Sequence, residues 1–445
     1  MGKPPCYTKE KMQEEISMYH FDLPYGKGSL SLDLPKNRVS GVLTSGLDHY
    51  TPEFSPEELV DRALENPIGS RPLWELCQGK ENITIICSDH TRPVPSKLII
   101  PPMLRQIRKG NPDAKVVLLI ATGCHRLTTR EELVDKFGEE VVDNERIVIH
   151  QCHETEHMRL LGILPSGGEC WVNKYACEAD LLLSEGFIEP HFFAGYSGGR
   201  KSVLPGVAGK TTVLANHCSE FIADPAARAG SLKGNPIHRD MLWAAQQAGL
   251  KFIVNVVLNG HKQVIHAVAG DLSQAHEAGC NFLEGLCGAR CVSAPIAITT
   301  NGGYPLDQNI YQAVKGMTAA EAVVHPGGVI IMASSCIDGH GGESFYQEMI
   351  AGDDMNALMA NILSRGRNET HADQWEAQIL IRILQKARVI MVSQAPDQLI
   401  RDMHMIPAHS MEEALAMADR MVGQDNAPIT VIPDGVGVVV LPEAK

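Results

Sequence analysis

The sequence predicts an α/β protein with two domains, each built on a mostly parallel sheet, and an active site in the cleft between them. The chain has 445 residues, of which 44% are hydrophobic, more than one hydrophobic core usually serves. Short apolar, β-branched runs bounded by glycine, proline or aspartate recur along it, and amphipathic stretches with helix-capping signals lie between them. Strands that alternate with helices form parallel sheets, whose ligands bind beyond the carboxyl ends of the strands.

Five strand-like runs lie in the N-terminal part of the chain. Each is short, rich in Val, Ile or Leu and bounded by turn residues, which is typical of a buried strand. They begin at Asn82, Lys115, Arg146, Asp180 and Lys251.

Capping boxes mark the start of two helices among these strands. Ser55 and Glu58 precede the amphipathic run LVDRAL, and Thr129 and Glu132 precede LVDKFG, which ends at Gly138. A Ser or Thr followed three residues later by Glu satisfies two of the free N–H groups at a helix start, and glycine is favoured at a helix end.

A second series of strands begins near Ala294 with PIAITT and continues through GGVIIMAS, RVIMVS, ITVIP and GVVVL. We therefore place the domain boundary near residue 290, with an N-terminal domain of residues 1–290 and a C-terminal domain of residues 291–445. The last strands could return to the first domain, because nothing in the sequence says which sheet they join.

Composition excludes several classes of function. A formal net charge of −14 and the lack of any Lys/Arg block argue against a nucleic-acid partner. The longest apolar stretches are far shorter than a membrane span, and the polar, acidic N-terminus does not resemble an export signal. The 12 cysteines are dispersed without a CxxC pair and are expected to be reduced. We therefore expect a cytoplasmic protein that acts on a small molecule.

The segment from Glu185 to His217 has the densest concentration of chemically useful residues. Three of its six glycines, at 195, 198 and 199, let the backbone approach a ligand closely and turn N–H groups toward an anionic phosphate. Ser197 and Arg200 belong to the same candidate phosphate loop. The alternative is a glycine-rich turn before a surface helix, with its basic side chains in solvent.

Lys201 is the candidate nucleophile of this segment. A guanidinium on the neighbouring Arg200 disfavours the protonated amine and so increases the fraction of free nucleophile at neutral pH. His217 follows in a stretch that is typical of a helix and could coordinate a borderline metal near the lysine. Taken alone, His217 would be interpreted as an ordinary helix histidine.

A phosphate-loop nucleotide site is the rival interpretation, suggested by Gly209-Lys210-Thr211-Thr212. That motif needs a glycine five residues before Gly209, where this chain has Leu204, and a strand leading directly into the loop. Neither requirement is met, so the sequence disfavours this interpretation.

Four candidate site residues follow predicted strands directly. Asp89 and Arg92 follow NITIIC, His125 follows KVVLLI, and His191 follows DLLLSEG, so all four should meet at one sheet edge. Arg92 suits a carboxylate, and two histidines at two strand exits suit racemisation by two bases. The alternative for Asp89 is a helix N-cap.

Three further histidines, in IHQCHETEH, have spacings that suit a metal on a helical face. The run leaves a strand and enters a polar loop, so we interpret His150, His153 and His157 as exposed histidines.

The second domain contributes a further cluster after the strand PIAITTN. Tyr311, Gln312 and Lys315 fall within one helical turn, and the first and last of them share a face. They could donate hydrogen bonds to a carboxylate across the cleft. The alternative is an ordinary amphipathic helix with a solvated lysine.

Together, the motifs DHTRPVP, ATGCHR, EPHFFAGYSGGRKSVLPG, LANH and GGYPLDQNIYQAVKG resemble the nickel-dependent lactate racemase family. The resemblance covers most of the chain. It implies a nickel ion held by pyridinium-3-thioamide-5-thiocarboxylic acid mononucleotide, a pincer cofactor bound covalently to Lys201, with His217 as the protein's nickel ligand. The glycines at 195, 198 and 199 would then line the nucleotide phosphate.

The resemblance also implies a role for each remaining candidate. His125 and His191 match the two general bases that take the hydroxyl proton of either enantiomer, while the Cα hydrogen leaves as hydride and a 2-keto acid forms. Arg92, Gln312, Lys315 and Tyr311 match groups that bind the substrate carboxylate or stabilise developing charge. Asp89 would orient Arg92 or the cofactor, and Trp375 is similar to a tryptophan near the family's site.

The expected activity is therefore racemisation or epimerisation of a 2-hydroxy acid, with lactate as the default substrate and with the enzymes of cofactor synthesis as transient partners. Two alternatives remain: a protein that binds the pincer cofactor without turnover, and the phosphate-loop enzyme. Retention of both His125 and His191 argues against the first, because storage of a cofactor needs neither base.

Overall fold

The computed structural model describes residues 17–443; most of the polar N-terminal stretch interpreted above lies outside them. The twenty strands of these described residues are β1 Met18–Tyr25, β2 Gly28–Pro35, β3 Val39–Val42, β4 Asn82–Ser88, β5 Lys115–Ala121, β6 Arg146–Ile149, β7 Met158–Ile163, β8 Glu169–Asn173, β9 Leu181–Phe187, β10 Pro190–His191, β11 Gly195–Tyr196, β12 Leu250–Leu258, β13 Val264–Gly270, β14 Gly288–Arg290, β15 Ala294–Thr300, β16 Val324–Ala333, β17 Arg388–Val392, β18 Ile406–Ala408, β19 Ile429–Ile432 and β20 Val439–Leu441.

The sixteen α-helices of the described residues are α1 Pro56–Glu65, α2 Leu73–Leu76, α3 Ser96–Gly110, α4 Arg130–Phe137, α5 Glu139–Asn144, α6 Lys174–Cys177, α7 Lys210–Asn216, α8 Ser219–Ala223, α9 Pro236–Gln247, α10 Gln274–Cys287, α11 Ile310–Val323, α12 Glu343–Met349, α13 Met355–Leu363, α14 Gln374–Lys386, α15 Asp397–Asp402 and α16 Met411–Val422. Both predicted capping boxes are formed, at the starts of α1 and α4.

The first large sheet has the order β13-β12-β9-β4-β5-β6. All of its neighbours are parallel except the edge pair β12 and β13. Its strands include the five runs predicted in the N-terminal part of the chain. Ile83, Ile85 and Ile86 of β4 are fully buried, and each contributes about 1.5–3 kcal/mol of hydrophobic stabilisation. Burial on both faces explains why these strands are continuously apolar.

The second large sheet has the order β18-β17-β16-β15-β19-β3, with every neighbour parallel. Two mostly parallel sheets with helices between their strands confirm the predicted fold class. The carboxyl ends of both sheets face one cleft, which Ser88, Ala121 and Phe187 line from the first sheet and Asn301 lines from the second.

The N-terminal residues add to the second sheet in a way that the sequence did not indicate. Strand β3 pairs in parallel with β19, and Leu23 and Leu32 of the β1–β2 hairpin pack in the same apolar cluster as Ile296 of β15. The division near residue 290 stays a prediction, but residues 39–42 pair outside the first sheet.

The last two strands belong to different sheets. Strand β19 belongs to the second sheet, whereas β20 pairs with β14. Val439 of β20 packs with Ile188 and Val257 of the first sheet's side. One of the last strands therefore does return toward the first domain.

No helix within residues 17–443 is long and apolar enough to cross a bilayer. The eleven cysteines of this part of the chain are all free thiols.

Candidate active site

The cleft between the two sheets has a volume of about 1140 Å³. Its walls come from loops after β4, β5 and β9, from α7, and from α11 and the start of α14. The predicted site residues that line it are Asp89, Arg92, His125, His191, Ser197, Gly198, Gly199, Lys201, His217, Tyr311, Gln312, Lys315 and Trp375. Two predicted residues, Gly195 and Arg200, do not.

Lys201 lies in a short 3-10 turn, Gly199–Ser202, and is half-buried in the cleft wall. Removal from water, followed by the charges of Arg200 and Arg92, lowers the pKa of Lys201 well below its usual value. The Arg200 guanidinium therefore lowers the Lys201 pKa as predicted, but burial lowers it more. A neutral amine at this position is a nucleophile.

The contacts of His191 agree with a neutral Lys201. His191 Nδ1 accepts a hydrogen bond from the Ala194 backbone N–H at 3.2 Å, so the proton of the neutral ring belongs on Nε2. His191 Nε2 lies 3.2 Å from Lys201 Nζ, and an Nε2–H can donate only to an amine with a free lone pair. Burial, followed by the charges of Lys201 and Lys315, lowers the pKa of His191 well below its usual value.

His217 follows the last turn of α7 and is 5% exposed. Its Nδ1–H donates to the Val213 carbonyl at 2.9 Å, which leaves the Nε2 lone pair for a metal ion. Burial, followed by the charge of Lys201, lowers the pKa of His217 to about 3. The ring is therefore neutral at physiological pH, as a metal ligand must be.

A chain of aromatic rings brings these three groups together. The Phe193 ring lies 4.5 Å from that of His191 and 5.1 Å from that of His217, and the Trp375 ring lies 5.0 Å from that of His217. Lys201 Nζ lies 6.0 Å from the centre of the Phe193 ring. The nucleophile, one base and the candidate metal ligand thus surround one aromatic side chain.

His125 faces this group from the loop after β5. Its Nδ1–H donates to Asp89 Oδ2 at 2.7 Å, which fixes the tautomer and leaves Nε2 as the basic nitrogen. Asp89 is 1% exposed. Burial acts to raise its pKa, but hydrogen bonds from His125 and Thr91 and the charge of Arg92 outweigh burial, and the Asp89 pKa is lowered.

Two expectations about Asp89 need correction. The side chain orients His125, whereas the sequence suggested that it orients Arg92 or the cofactor. It does not cap a helix either, because α3 begins at Ser96, after Pro95. Its second partner is the hydroxyl of Thr91, at 2.7 Å.

The second domain supplies polar groups from α11 and α14. Lys315 Nζ donates to Gln312 Oε1 at 2.6 Å, which leaves the amide NH₂ of Gln312 free to donate. Trp375 Nε1 donates to the Tyr311 hydroxyl at 3.1 Å, and that hydroxyl donates to Asp373 at 3.3 Å. Burial lowers the pKa of Lys315, so this lysine is not the solvated residue of an ordinary amphipathic helix. Arg92 lies across the cleft on the first domain.

The structure reveals Glu376 as a residue that the sequence analysis missed. It is fully buried beside Trp375, and within the described part of the chain neither carboxylate oxygen has a hydrogen-bond partner. Burial, opposed by the charge of Lys315, raises the Glu376 pKa to about 8. A carboxylate on the buried face of an amphipathic helix was the available sequence signal.

The two phenylalanines after His191 were also missed as functional residues. Phe192 and Phe193 both line the cleft, and Lys315 Nζ lies 5.7 Å from the centre of the Phe192 ring. Consecutive aromatics directly before a glycine-rich loop were the signal, in a chain with only 5% aromatic residues.

Arg200 is placed differently from the prediction of a phosphate ligand. It is 1% exposed, and its guanidinium donates to backbone carbonyls of its own loop, including that of Ala194 at 2.6 Å. The inward-facing guanidinium stabilises the loop through these hydrogen bonds, and its positive charge lowers the pKa of Lys201.

The glycines serve packing as well as ligand approach. Gly199 has φ of +50°, a Cβ there would lie 2.8 Å from the His276 ring, and its N–H donates to Asn255 Oδ1. That N–H is therefore not available to a phosphate. Gly195 is buried against Ser231 and lies behind the cleft wall.

Alternative metal and nucleotide sites receive no support. His150 is fully buried and bonded to the Ala208 carbonyl, so its predicted exposure is wrong, whereas His153 is exposed. No group of three or more potential metal-ligating side chains is present among residues 17–443. No strand leads into Gly209; a 3-10 turn and further turns precede it.

Matches to known proteins cover almost the whole chain. Residues 25–230 match the family model "Lactate racemase N-terminal domain", and residues 289–440 match "Lactate racemase C-terminal domain". The chain is 54% identical over 424 residues to lactate racemase of Thermoanaerobacterium thermosaccharolyticum, covering 95% of this chain and 99% of that one. It is 52% identical to lactate racemase of Lactiplantibacillus plantarum, covering 95% and 100%.

Solved structures agree with these matches. The lactate racemase apoprotein from T. thermosaccharolyticum superimposes with a TM-score of 0.92 at 53% identity, covering 95% of this chain and all of that one. A protein from Thermotoga maritima, at 18% identity and a TM-score of 0.61 over 88% of this chain and 97% of its own, shares the fold.

Proposed function

The chain belongs to the lactate racemase family and is an isomerase, and from this premise we propose that it racemises a 2-hydroxy acid, by default lactate, with a nickel-pincer nucleotide bound to Lys201. The observation that carries the proposal is the meeting of Lys201, His191, His217 and the His125–Asp89 pair in one cleft. We also propose that the enzymes of cofactor synthesis are transient partners and that the protein acts in the cytoplasm, as its free thiols suggest.

The residues present fit the proposed cofactor. A neutral, half-buried amine suits covalent attachment at Lys201, and a neutral His217 with a free Nε2 suits nickel. The cleft of about 1140 Å³ is large enough for a mononucleotide and a small acid. When bound, the nickel-pincer nucleotide supplies the acceptor and donor of the substrate's Cα hydride.

Ser197, Gly198 and Gly199 are proposed to line the nucleotide, since all three face the cleft. Arg200 and Gly195 would act indirectly, by shaping the loop that carries Lys201. Asp89 would act through His125 and not on the cofactor.

His125 is proposed as one base. Its Nε2 takes the proton of the substrate hydroxyl, and the Asp89 carboxylate stabilises the imidazolium that results. The same ring returns the proton when the reaction runs in the other direction.

His191 is proposed as the other base. In the free chain its Nε2 proton is directed at the Lys201 amine. Acylation of Lys201 removes that acceptor, and release of the hydrogen bond from the Ala194 N–H to Nδ1 then lets the ring change tautomer and present the Nε2 lone pair to a substrate hydroxyl.

The substrate carboxylate is proposed to bind between Arg92 of the first domain and Lys315 and Gln312 of the second. Tyr311 and Trp375, joined by their hydrogen bond, form the adjoining wall. Two cations around one carboxylate hold the Cα hydrogen in a fixed position, which proximity-based catalysis requires.

The test is an assay of metallated, cofactor-loaded protein on separate enantiomers of lactate and of a panel of 2-hydroxy acids. We expect each enantiomer of at least one acid to approach the racemic mixture without added nicotinamide. Binding of nickel without turnover on every acid would favour the cofactor-storage alternative, and ATP affinity would favour the nucleotide-binding one.

Replacement of His217 by alanine should separate metal binding from covalent attachment. We expect the His217→Ala variant to gain the same mass increment on Lys201 as the wild type but to lose nickel at least about tenfold faster during dialysis, because one ligand of the metal is missing. Intact mass and metal analysis on the same sample measure the two properties. The exposed His153 provides the matched control, and His153→Ala should retain nickel. Loss of nickel to the same extent from both variants would contradict the assignment.

A further inference from the structure

Two cysteines meet at the edge of the cleft, outside the machinery described above. Cys124 follows β5 and Cys152 follows β6, and these strands are parallel neighbours. Their Sγ atoms lie 3.5 Å apart. Cys124 is exposed and lines the cleft, whereas Cys152 is 6% exposed behind it.

The surroundings of this pair favour a thiolate. A hydrogen bond from the Cys124 thiol and the nearby Lys210 ammonium lower the pKa of Cys152 to about 7, against the opposing effect of burial. The Lys210 backbone N–H also donates to the Cys152 carbonyl at 3.0 Å, which keeps this lysine beside the pair. The thiolate is the reactive form of cysteine, and because the two thiols are coupled, their hydrogen bond, followed by burial, raises the pKa of Cys124.

We propose that Cys124 and Cys152 form a modification site at which a hydroperoxide oxidises the two thiols to a disulfide. The thiolate of the pair attacks the terminal oxygen of the hydroperoxide, the O–O bond breaks, and the corresponding alcohol leaves with a proton, giving a sulfenic acid. The second thiol then displaces hydroxide from the sulfenic sulfur, and water leaves. Two thiols and one hydroperoxide thus give one disulfide, one alcohol and one water.

Disulfide formation would move the active-site loop. A disulfide bond is about 2.05 Å long, so the two sulfurs must approach each other by roughly 1.5 Å from their present separation of 3.5 Å. Cys124 directly precedes His125, whose ring is oriented by its hydrogen bond to Asp89. A displacement of about 1 Å of a catalytic group can reduce the rate by roughly 10²-fold.

The test begins with the purified chain, whose thiols can be mapped without any assumption about activity. After brief treatment with hydrogen peroxide, we expect a mass loss of two hydrogens and a cross-link between the tryptic peptides that contain Cys124 and Cys152, which cleavage at Arg126 and Arg146 separates. Dithiothreitol should reverse both changes. The Cys124→Ser variant should not form the cross-link, whereas Cys291→Ser, which removes a half-buried cysteine elsewhere, should form it normally.

The second arm uses the loaded enzyme, in which peroxide also attacks the sulfurs of the cofactor. Wild type and Cys124→Ser carry the same cofactor, so their difference reports the disulfide. We expect wild type to lose roughly 10²-fold more activity and to regain that difference with dithiothreitol. Absence of the cross-link in the purified chain would overturn the proposed site, and a cross-linked enzyme with full activity would overturn its effect. The first arm is independent of racemase activity, so it can fail or succeed without regard to the proposed function.

Discussion

Replacement of Lys201 by methionine is expected to abolish the covalent adduct and to reduce racemisation by roughly 10³-fold or more, because a cofactor that is no longer held in place loses the advantage of fixed geometry. Methionine keeps the approximate length and the apolar stem of a side chain whose pKa burial lowers well below its usual value. It removes only the nucleophile, so the fold should persist. Intact mass, peptide mapping and racemisation of lactate, on protein produced with the cofactor-synthesis enzymes, measure the effect.

A second lysine in the cleft provides the control. Lys210 lines the same cleft nine residues further along, and Lys210→Met should retain the mass increment on the peptide that contains Lys201. The assignment would be overturned by an increment on another peptide of the wild type, or by an unchanged increment in Lys201→Met. Equal thermal unfolding of the two variants would show that the loss of adduct is local.

Much of this site could be predicted from the order of strands and turns alone. Strands β4, β5 and β9 are neighbours in one parallel sheet, so Asp89, His125 and His191, which follow them, had to emerge at the same edge. Helical spacing likewise placed Tyr311 and Lys315 on one face of α11. Both inferences use only the geometry of the elements, which local sequence patterns determine.

The pairing of side chains within the site could not be predicted in the same way. Asp89 could have met either Arg92 or His125, and the choice depends on loop conformations that bring Oδ2 within 2.7 Å of Nδ1. Arg200 was expected to face a phosphate, but the positive φ at Gly198 and Gly199 turns it into the protein. In each case the hydrogen-bond partner depends on the conformation of loops, which the local sequence pattern does not predict.

The addition of β3 to the second sheet illustrates the same limit at the level of topology. The segment VSGV is short and half-exposed, so its own pattern is weak. Its partner β19 lies almost four hundred residues away, and only the free edge of the finished sheet selects it. By contrast, the continuously apolar β4 is recognisable from its own residues.

Replacement of either His125 or His191 by asparagine should slow racemisation by roughly 10²–10⁴-fold, the usual contribution of a general base. The two enantiomers have equal free energies, so each single variant must slow both directions equally. The variants should nevertheless differ in their first half-reaction. His125→Asn retains the base for one enantiomer and His191→Asn retains the base for the other, so each should convert only one enantiomer to enzyme-bound 2-keto acid, and the preference should be opposite. Acid quench of a single turnover, followed by detection of the keto acid, measures this.

The opposite preference is the decisive result, because a histidine that merely supports the fold would reduce keto-acid formation from both enantiomers. The Asp89→Asn variant tests the hydrogen-bond partner of His125. The amide removes the negative charge that stabilises the His125 imidazolium. This variant should therefore have the same enantiomer preference as His125→Asn, with a smaller loss of rate. His153→Asn, in the same cleft without a proposed role, should behave as the wild type. If both histidine variants formed keto acid from the same enantiomer, one histidine would serve both faces of the substrate, and the two-base mechanism would be wrong. The assignments of the cleft, of Lys201 as the attachment site and of His217 as the metal ligand would not be affected.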